Sequence, residues 1–363
     1  MSRNRMCICA ALAAAFVFIG VQCSFADYIG TSYGIGGKPG TGGPTRIRDN
    51  GTVVSTNYTS TVPLSIQNAL ETYDAGVALT PDLAKLYTLV NTLGFSNYVI
   101  AADTSTGQFR AADTFALSQQ FPPLSGDNNY IGVSGIVQPL IAGDELFTLS
   151  RANFPGGGPE NWQIKRFDLA THALLEVINP PTTQHLQDIA VDPLTSRLYA
   201  SGTAGIYSFN RTFSFTPPSS FGFVYGTTPQ LLIPGVSGNL AIGPGLLYVK
   251  NSANGDIQRY TTSGAFIDTF ISHNAYPNLG TIQFGVDGNL HVYQGGSGFP
   301  PASNILKFSG INGNLLSSTP NSYLTNQRIT FVPVPEPASW LVLVIGAAVC
   351  SCSRRTTARP QVT

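Results

Sequence analysis

The chain has 363 residues, of which 10% are charged, and its 19 basic side chains balance its 19 acidic ones. This composition offers no basic excess of the kind that nucleic-acid binding requires, so we expect no nucleic-acid partner. The 38 glycines and 25 prolines, beside abundant tyrosine and phenylalanine, are typical of a β-rich extracellular domain with many turns.

The first 26 residues have the features of a secretory signal peptide. Arg3 and Arg5 precede an apolar core from Ile8 to Val21, and Ser24-Phe25-Ala26 ends the segment with small residues on both sides of a larger one. We therefore expect cleavage by signal peptidase after Ala26.

The domain between the two ends of the chain contains no cysteine. The five cysteines are Cys7, Cys9, Cys23, Cys350 and Cys352. A disulfide, a catalytic thiol and a thiolate metal site are therefore excluded from this domain, and its stability must come from its core and backbone pairing. Without residues 1–26 and 334–363 the chain keeps 14 basic and 18 acidic residues, which further disfavours nucleic acid.

Five stretches of the sequence repeat the same succession of strands and turns. In the clearest copy, the strand from Asp188 is followed by a turn, a second strand that ends at Gly202 and a third strand over Gly205–Asn210. The other copies begin near Val77, Ile136, Asn239 and Phe284. Their spacing of about 45 to 60 residues suits one four-stranded blade of a β-propeller for each copy.

The two ends of the same domain supply the remaining strands. Tyr28–Thr31 and Thr45–Val54 have the pattern of the last three strands of a blade, and Arg328–Val332 has the pattern of a first strand. Pairing them would close the ring and hide its edge strands. The prediction is an all-β, six-bladed propeller over residues 27–333. A seven-bladed ring that uses Asn129–Ser134, and a pair of β-sandwiches, stay open as alternatives.

Two of the repeats carry a turn with aspartate and proline. Val191-Asp192-Pro193 leads to Arg197-Leu198-Tyr199, and Thr80-Pro81-Asp82 leads to Lys85-Leu86-Tyr87. These units resemble the NHL and YVTN propeller repeats, in degenerate form, over most of residues 28–332. The resemblance implies a fold and no catalytic residues. We interpret Asp82, Asp192 and Asp287 as turn residues, because a carboxylate accepts the amide hydrogen bonds of a turn.

Chemistry in a propeller is expected at the central channel, where the first strands of all blades converge. The position before each first strand holds Gly76, Asp188, Asn239 and Gln283. One carboxylate and two amides are weak candidates for a divalent cation, which prefers six or more oxygen ligands. The alternative is a polar, water-lined channel, and no other cofactor is expected.

Three glycine-rich loops are predicted between second and third strands, and we expect them on one face of the ring. They span residues 34–43, 154–159 and 295–301, and Tyr33, Phe154, Trp162 and Phe299 lie in or beside them. Aromatic faces stack on sugar rings, so these residues could form a carbohydrate-binding rim with an extracellular polysaccharide as partner. Tolerance of insertions at surface loops explains the same pattern.

The chain ends in a proline-bracketed acidic motif, an apolar run and a basic stop. Val334, Pro335, Glu336 and Pro337 precede the run from Trp340 to Cys352, and Arg354 and Arg355 follow it. The prolines favour an extended, accessible strip, the run is shorter than the roughly 20 residues of a full membrane span, and the arginines place the C-terminus on the cytoplasmic side.

This order of elements resembles the PEP-CTERM sorting tail of bacterial proteins. The resemblance implies cleavage by an exosortase-like enzyme. It also implies transient insertion of the C-terminal helix into the inner membrane, followed by residence in the cell envelope or outside the cell.

The sequence therefore predicts a signal peptide at 1–26, a propeller at 27–333 and a sorting tail at 334–363. The first function hypothesis is an exported, non-enzymatic binding or structural module associated with the envelope or an exopolysaccharide matrix. The second is a propeller hydrolase or lactonase with a divalent cation in its channel.

Overall fold

The structure is a computed structural model. It describes residues 26–31, 44–48, 52–56, 70–92, 97–116, 128–130, 139–153, 161–181, 185–216, 220–226, 228–295, 303–321, 324 and 330–333. Residues Tyr28–Val332 form one compact unit. The described part of this unit is almost entirely antiparallel β-structure, as the sequence predicts for a propeller.

The first three strands near the N-terminus are short and pair in chain order. They are β1 (Ala26–Thr31), β2 (Pro44–Ile47) and β3 (Val53–Thr56). The first blade then follows with β4 (Leu70–Leu79), β5 (Lys85–Thr92), β6 (Asn97–Asp103) and β7 (Phe115–Ala116), and a 3-10 helix over Ala111–Asp113 precedes β7. Each strand pairs with the next, which is the meander of a propeller blade.

The second blade contains one strand more than the others. Its strands are β8 (Asn128–Tyr130), β9 (Leu140–Ala142), β10 (Glu145–Asn153), β11 (Asn161–Asp168) and β12 (Leu174–Ile178). Both β8 and β9 pair with β10, at its two ends. Because Asn128–Tyr130 extends this sheet and does not begin another blade, the seven-bladed alternative is wrong.

The third blade carries an insertion between its third and fourth strands. Its sheet is formed by β13 (Leu186–Val191), β14 (Leu198–Gly202), β15 (Gly205–Phe209) and β18 (Gln230–Pro234). The inserted hairpin consists of β16 (Arg211–Thr216) and β17 (Ser220–Tyr225) and forms a sheet of its own. The sequence analysis did not predict this hairpin.

The fourth and fifth blades are regular. The fourth contains β19 (Gly238–Gly243), β20 (Leu246–Asn251), β21 (Ile257–Thr261) and β22 (Phe266–Ile271). The fifth contains β23 (Leu279–Phe284), β24 (Leu290–Gln294), β25 (Ser303–Phe308) and β26 (Leu315–Asn321). The last described strand is β27 (Thr330–Pro333).

The two ends of the domain form a composite sheet in the order β27-β1-β2-β3. Tyr28 clusters with Tyr293 of the fifth blade, and Ile29 clusters with Val77 and Leu86 of the first blade. The predicted pairing of terminal strands is therefore confirmed. The predicted count needs correction, because the described residues form five blades from consecutive strands rather than six, and the remaining four-stranded sheet is this composite.

A row of large rings on the second strands fills the space between blades. Tyr87, Phe147, Tyr199 and Tyr248 are buried, and each lies opposite a small or aliphatic residue of the first strand of its blade. Two of the hydroxyls donate to carbonyl oxygens of later blades, from Tyr199 to Thr262 at 3.0 Å and from Tyr248 to Gly310 at 3.3 Å. These contacts combine apolar burial with satisfied polar groups.

The turn aspartates do what the sequence predicts. The carboxylates of Asp82, Asp192 and Asp287 accept the backbone amides of residues two positions later, at 3.0, 2.9 and 3.0 Å. Each turn joins the first two strands of its blade. These hydrogen bonds fix the reversal at the end of the first strand.

Candidate functional site

The turns of each blade divide between two ends of the ring. The amide of Thr104 donates to the carbonyl of Ala84 at 3.0 Å, and that of Leu169 donates to the carbonyl of Asp144 at 2.9 Å. In both blades a turn between third and fourth strands thereby contacts the turn between first and second strands. We call this end the turn face. The loops between second and third strands lie at the opposite end, because strand direction alternates.

A concave site lies on the turn face, where first strands from four blades converge. Its volume is about 330 Å³, and its walls include Ala142, Val191, Ile242, Gln283 and Phe284, with Pro81 from the first blade. Every other lining residue is apolar or glycine, so Gln283 is the single polar one. We call this site the channel-mouth cleft. The side chains at this end of the ring are therefore mostly apolar, and the polar, water-lined channel stays a prediction.

A second, more polar pocket adjoins the cleft. Its volume is about 290 Å³, and it shares Ala142, Gly143, Val191 and Pro193 with the cleft. Its polar walls come from Asp144, Glu145, Asp192, Ser196 and Arg211, beside the ring of Tyr225. The shared residues place the two depressions side by side, one mostly apolar and the other polar.

A network of two arginines and two glutamates supports the polar pocket. Glu145 accepts hydrogen bonds from Arg166 and Arg211, each at 2.6 Å, and Arg166 lies 3.2 Å from Glu176. The Arg166 side chain is 4% exposed. The hairpin joins this network through Arg211 and through the amide of Tyr225, which donates to Glu176 at 2.9 Å. The base of the insertion is therefore fixed to the second blade.

Burial and hydrogen bonding oppose each other at Glu176. Burial raises the pKa of its carboxyl, and the amide of Tyr225 and the guanidinium of Arg166 counteract only part of that effect. Both arginines also lie near the face of the Tyr225 ring, at 5.7 Å and 6.0 Å from its centroid. Glu145 and Arg211 of this network thus line the pocket, while Arg166 and Glu176 lie behind them.

Of the predicted metal candidates, Asp188 and Asn239 share one register position and Gln283 occupies another. Asp188 is 2% exposed, and its two oxygens accept the amides of Ile189 and Leu240, both at 2.8 Å. The equivalent position on β19 is Asn239. Both Asp188 and Asn239 lie three residues before the first-strand residue that pairs with the leucine of the second strand. By the same count the position on β23 belongs to Thr281 and not to Gln283. Within the described ranges, no group of three or more histidines, cysteines or carboxylates could hold a metal ion.

The predicted aromatic rim is not supported at Trp162. Its side chain is 4% exposed and packs in the core with Ile164 and Ile178, with its ring 4.6 Å from that of His185. A buried ring has no free face for a sugar. Tyr33, Phe154 and Phe299 lie outside the described residues.

The predicted sorting tail also lies outside the described residues. This applies to Val334, Pro335, Glu336, Pro337, Arg354 and Arg355, and to the signal peptide up to Phe25. Among the residues that the structure does describe, no helix has the length and apolar character to cross a bilayer.

A polar row lies in the fifth blade beside the cleft, with His291 buried and Gln283 and Lys307 half-buried. Gln283, His291 and Lys307 occupy directly opposed positions on β23, β24 and β25. Lys307 binds Asp287 at 2.7 Å, and the Nε2 atom of His291 lies 3.5 Å from the same carboxyl. Burial would raise the pKa of Asp287, but hydrogen bonds from His291, Lys307 and Asn289 hold it well below its usual range.

Comparisons with known proteins identify the architecture. No protein-family profile matches the sequence, and no curated protein matches it. The solved structure of TolB from Acinetobacter baumannii is similar with a TM-score of 0.51 and 14% identity, over 86% of this chain and 67% of that one. A protein of unknown function from Bacteroides caccae gives a TM-score of 0.50 and 12% identity, over 86% of this chain and 100% of that one.

A putative 6-phosphogluconolactonase from Bacteroides uniformis is also similar, with a TM-score of 0.48 and 16% identity over 83% of this chain and 84% of that one. At identities this low, the likeness shows a shared fold and nothing about activity. The comparisons therefore support the propeller fold alone.

Proposed function

We propose that this protein is an exported, non-enzymatic propeller that binds a ligand with an apolar surface in the channel-mouth cleft. The observation that carries the proposal is the cleft itself, whose volume is about 330 Å³ and whose lining contains one polar residue, Gln283. Ligand sites of proteins are mostly apolar depressions of about 300 to 1,000 Å³ with a few placed polar groups. The cleft has this size and character.

The export part of the proposal rests on the two ends of the sequence. The basic and apolar leader before Asp27 suits signal peptidase, and the motif Val334–Pro337 with its apolar run and arginines suits an exosortase-like enzyme. The mature propeller would then be displayed at the cell envelope or released. An extracellular polysaccharide stays a proposed partner only through the loops that carry Tyr33, Phe154 and Phe299.

The alternative, a hydrolase or lactonase with a channel cation, has less support. Such a reaction needs a metal with several oxygen ligands, and both oxygens of Asp188 already accept backbone amides. The equivalent positions hold Asn239, Thr281 and Gly76, which add no carboxylate. Binding without catalysis is therefore the better-supported function.

The cleft can be tested by blocking it. Pro193 is exposed in the turn after β13 and lines both depressions, so Pro193→Trp would place a large ring over the cleft. Pro244 is exposed in the equivalent turn after β19 and lines neither depression, which makes Pro244→Trp a matched control.

The probe is Nile red, a neutral dye whose fluorescence rises in apolar sites, added to the full chain and to both variants. We expect Pro193→Trp to lose most of the dye signal that the unmutated chain and Pro244→Trp share. The apolar C-terminal segment contributes equally to all three proteins. Equal dye binding by the two variants, with unchanged melting temperatures, would overturn the proposal.

A further inference from the structure

We infer that the partner of the channel-mouth cleft is a polypeptide segment that combines basic and apolar residues. The inference rests on the proposed function, because it names the chemistry of the ligand that this cleft would take. The distribution of charged and apolar side chains around the cleft supports this inference.

Three carboxylates surround one half of the cleft. Asp82, Asp144 and Asp192 lie in the turns after the first strands of the first, second and third blades. Each of them either lines one of the two depressions or is the sequence neighbour of a residue that does. Within the described residues none of them forms an ion pair with a basic side chain. Hydrogen bonds from Thr80 and from the amide of Ala84 lower the pKa of Asp82, so this exposed carboxyl stays ionised at neutral pH.

Two basic groups near this half are paired with carboxylates, and Arg197 in the turn of the third blade donates to the carbonyl oxygen of Thr262 at 3.1 Å. Lys85 lies 2.6 Å from Asp113, and Arg211 lies 2.6 Å from Glu145, which it shares with Arg166. The two exposed carboxylates, Asp82 and Asp144, therefore create a negative potential on this side of the cleft, whereas Asp192 is 2% exposed and accepts hydrogen bonds from Leu194 and Thr195. Such a potential attracts cationic ligands and repels anionic ones.

The other half of the cleft is apolar. Ile242 and Phe284 line it, the turn after β19 contains no charged residue, and the carboxylate of Asp287 is paired with Lys307 at 2.7 Å. Val286 lies two residues after Phe284 in the chain and is 67% exposed. The cleft is therefore two-sided, with carboxylates on one side and apolar side chains on the other.

The apolar surface continues beyond the cleft along the turn face. Leu194 in the third blade is 81% exposed, and Ile311 in the fifth blade is 86% exposed. Exposed apolar side chains gathered on one face mark an interaction surface.

A ligand that complements both the carboxylates and the apolar side chains must present cationic and apolar groups at alternating positions over several blades. A polypeptide with lysine or arginine between leucine-like residues does so. A neutral sugar lacks the cations, and an anionic lipid surface would be repelled by the carboxylates. The geometry thus favours a basic, apolar peptide segment of a partner protein.

The probes are three fluorescent peptides of equal length, and the readout is anisotropy with the full chain. One alternates leucine and lysine, the second alternates leucine and glutamate, and the third alternates serine and lysine. We expect the leucine–lysine peptide to bind at least about tenfold more tightly than either of the others at low salt, because it alone satisfies both halves of the cleft. Pro193→Trp should weaken its binding.

The matched variants separate charge from shape. Asp82→Asn combined with Asp144→Asn should remove most of the preference for lysine over glutamate. Asp256→Asn, at the opposite end of the ring, should leave that preference unchanged. An equal affinity for the leucine–lysine and leucine–glutamate peptides would overturn the inference while cleft binding still stood. Binding to anionic lipid vesicles and to no peptide would overturn it as well.

If the proposed function itself were wrong, the experiments would give a different result. If Nile red did not distinguish Pro193→Trp from Pro244→Trp, the cleft would not be a binding site. If the dye did distinguish them and none of the peptides bound, the cleft would bind an apolar ligand of another class and the present inference alone would be wrong.

Discussion

Asp188 on β13 joins its blade to the next one by accepting the backbone amide of Leu240 on β19 at 2.8 Å. The other oxygen of the same carboxylate accepts the amide of Ile189, also at 2.8 Å. The side chain is 2% exposed, so water cannot readily replace it as an acceptor. The residue that the sequence singled out as a metal candidate is thus a structural link between blades.

Replacing this carboxylate should destabilise the propeller. Asp188→Ala would leave two buried amides without these acceptors, and we expect the free energy of unfolding to fall by about 3 kcal/mol. Asp188→Asn keeps one side-chain acceptor and should cost less. Urea unfolding of the full chain and both variants measures the difference. Calcium should raise the melting temperature of none of them, and a calcium-dependent rise that Asp188→Ala abolished would restore the metal hypothesis.

The mistaken choice of Gln283 for the metal set has a geometric cause. The sequence places the start of the fifth copy near Phe284, whereas β23 runs from Leu279 to Phe284, so Gln283 lies inside the first strand and not before it. The equivalent positions are given by pairing with the leucine of the second strand, and this pairing becomes visible only in the sheet. By that register Gln283 corresponds to Ala190 and Ala241, which line the cleft.

His291 should make the stability of the propeller depend on pH. It occupies the position of Tyr87, Phe147, Tyr199 and Tyr248 in the other blades and lies edge-on to the Tyr28 ring, 5.7 Å away. Burial lowers its pKa, and the hydrogen bond with Asp287 only partly opposes this. Below the unfolded value of about 6.5 the unfolded chain takes up a proton that the folded chain resists. Stability should therefore fall as the pH drops from 7 to 5.

The variant His291→Phe, which copies Phe147 of the second blade, isolates this effect. Its melting temperature should change less between pH 7 and pH 5 than that of the unmutated chain. The carboxylate of Asp287 does not titrate in this range, because its pKa is held well below the usual one. Parallel pH curves for His291→Phe and the unmutated chain would contradict the assignment.

The arginine–glutamate network should matter more than an exposed ion pair of similar distance. Glu145→Gln removes the charge that two guanidiniums share at 2.6 Å, one of them on a side chain that is 4% exposed. We expect a loss of about 3 kcal/mol in the free energy of unfolding and faster proteolysis within the hairpin whose base is Arg211. Denaturation and limited proteolysis provide the two readouts.

The control for that experiment is Asp268→Asn. Asp268 pairs with Arg259, but its side chain is 43% exposed, so solvent screens the interaction. We expect a loss below about 1 kcal/mol. Similar losses in Glu145→Gln and Asp268→Asn would show that burial does not strengthen the network and that it has no special role in fixing the hairpin.

The sequence predicted the blades because each repeats a local signal. Alternating apolar residues and a turn with aspartate, as in Asp192-Pro193, are short-range features that fix strand and reversal together. The pairing of β27 with β1 was predictable for a different reason, since incomplete sets of strands at both ends complement each other. The β16–β17 hairpin was not predicted, because it interrupts one blade and its pattern does not recur in the other blades.

The sequence predicted the place of the candidate site at the central channel and named Gln283, but it could not predict the apolar residues that line the cleft. The cleft brings Pro81 of the first blade to Phe284 of the fifth, and it exists only because five blades surround one channel. Nor could a sequence pattern tell that Trp162 is buried, since its glycine-rich neighbourhood is typical of an exposed loop. Local patterns determine elements, whereas closure of the ring determines which side chains meet.

The fate of the two ends of the chain is tested by the intact mass of the protein from its native host, measured in both cell-associated and medium fractions. We expect a mass that lacks Met1–Ala26 and the residues after the Pro335-Glu336-Pro337 motif, because the leader and tail have the order of elements that export and sorting enzymes read. A mass that retains Trp340–Thr363 would contradict cleavage of the tail. The protein would then be tethered, and the partner of the cleft should be sought at the cell surface.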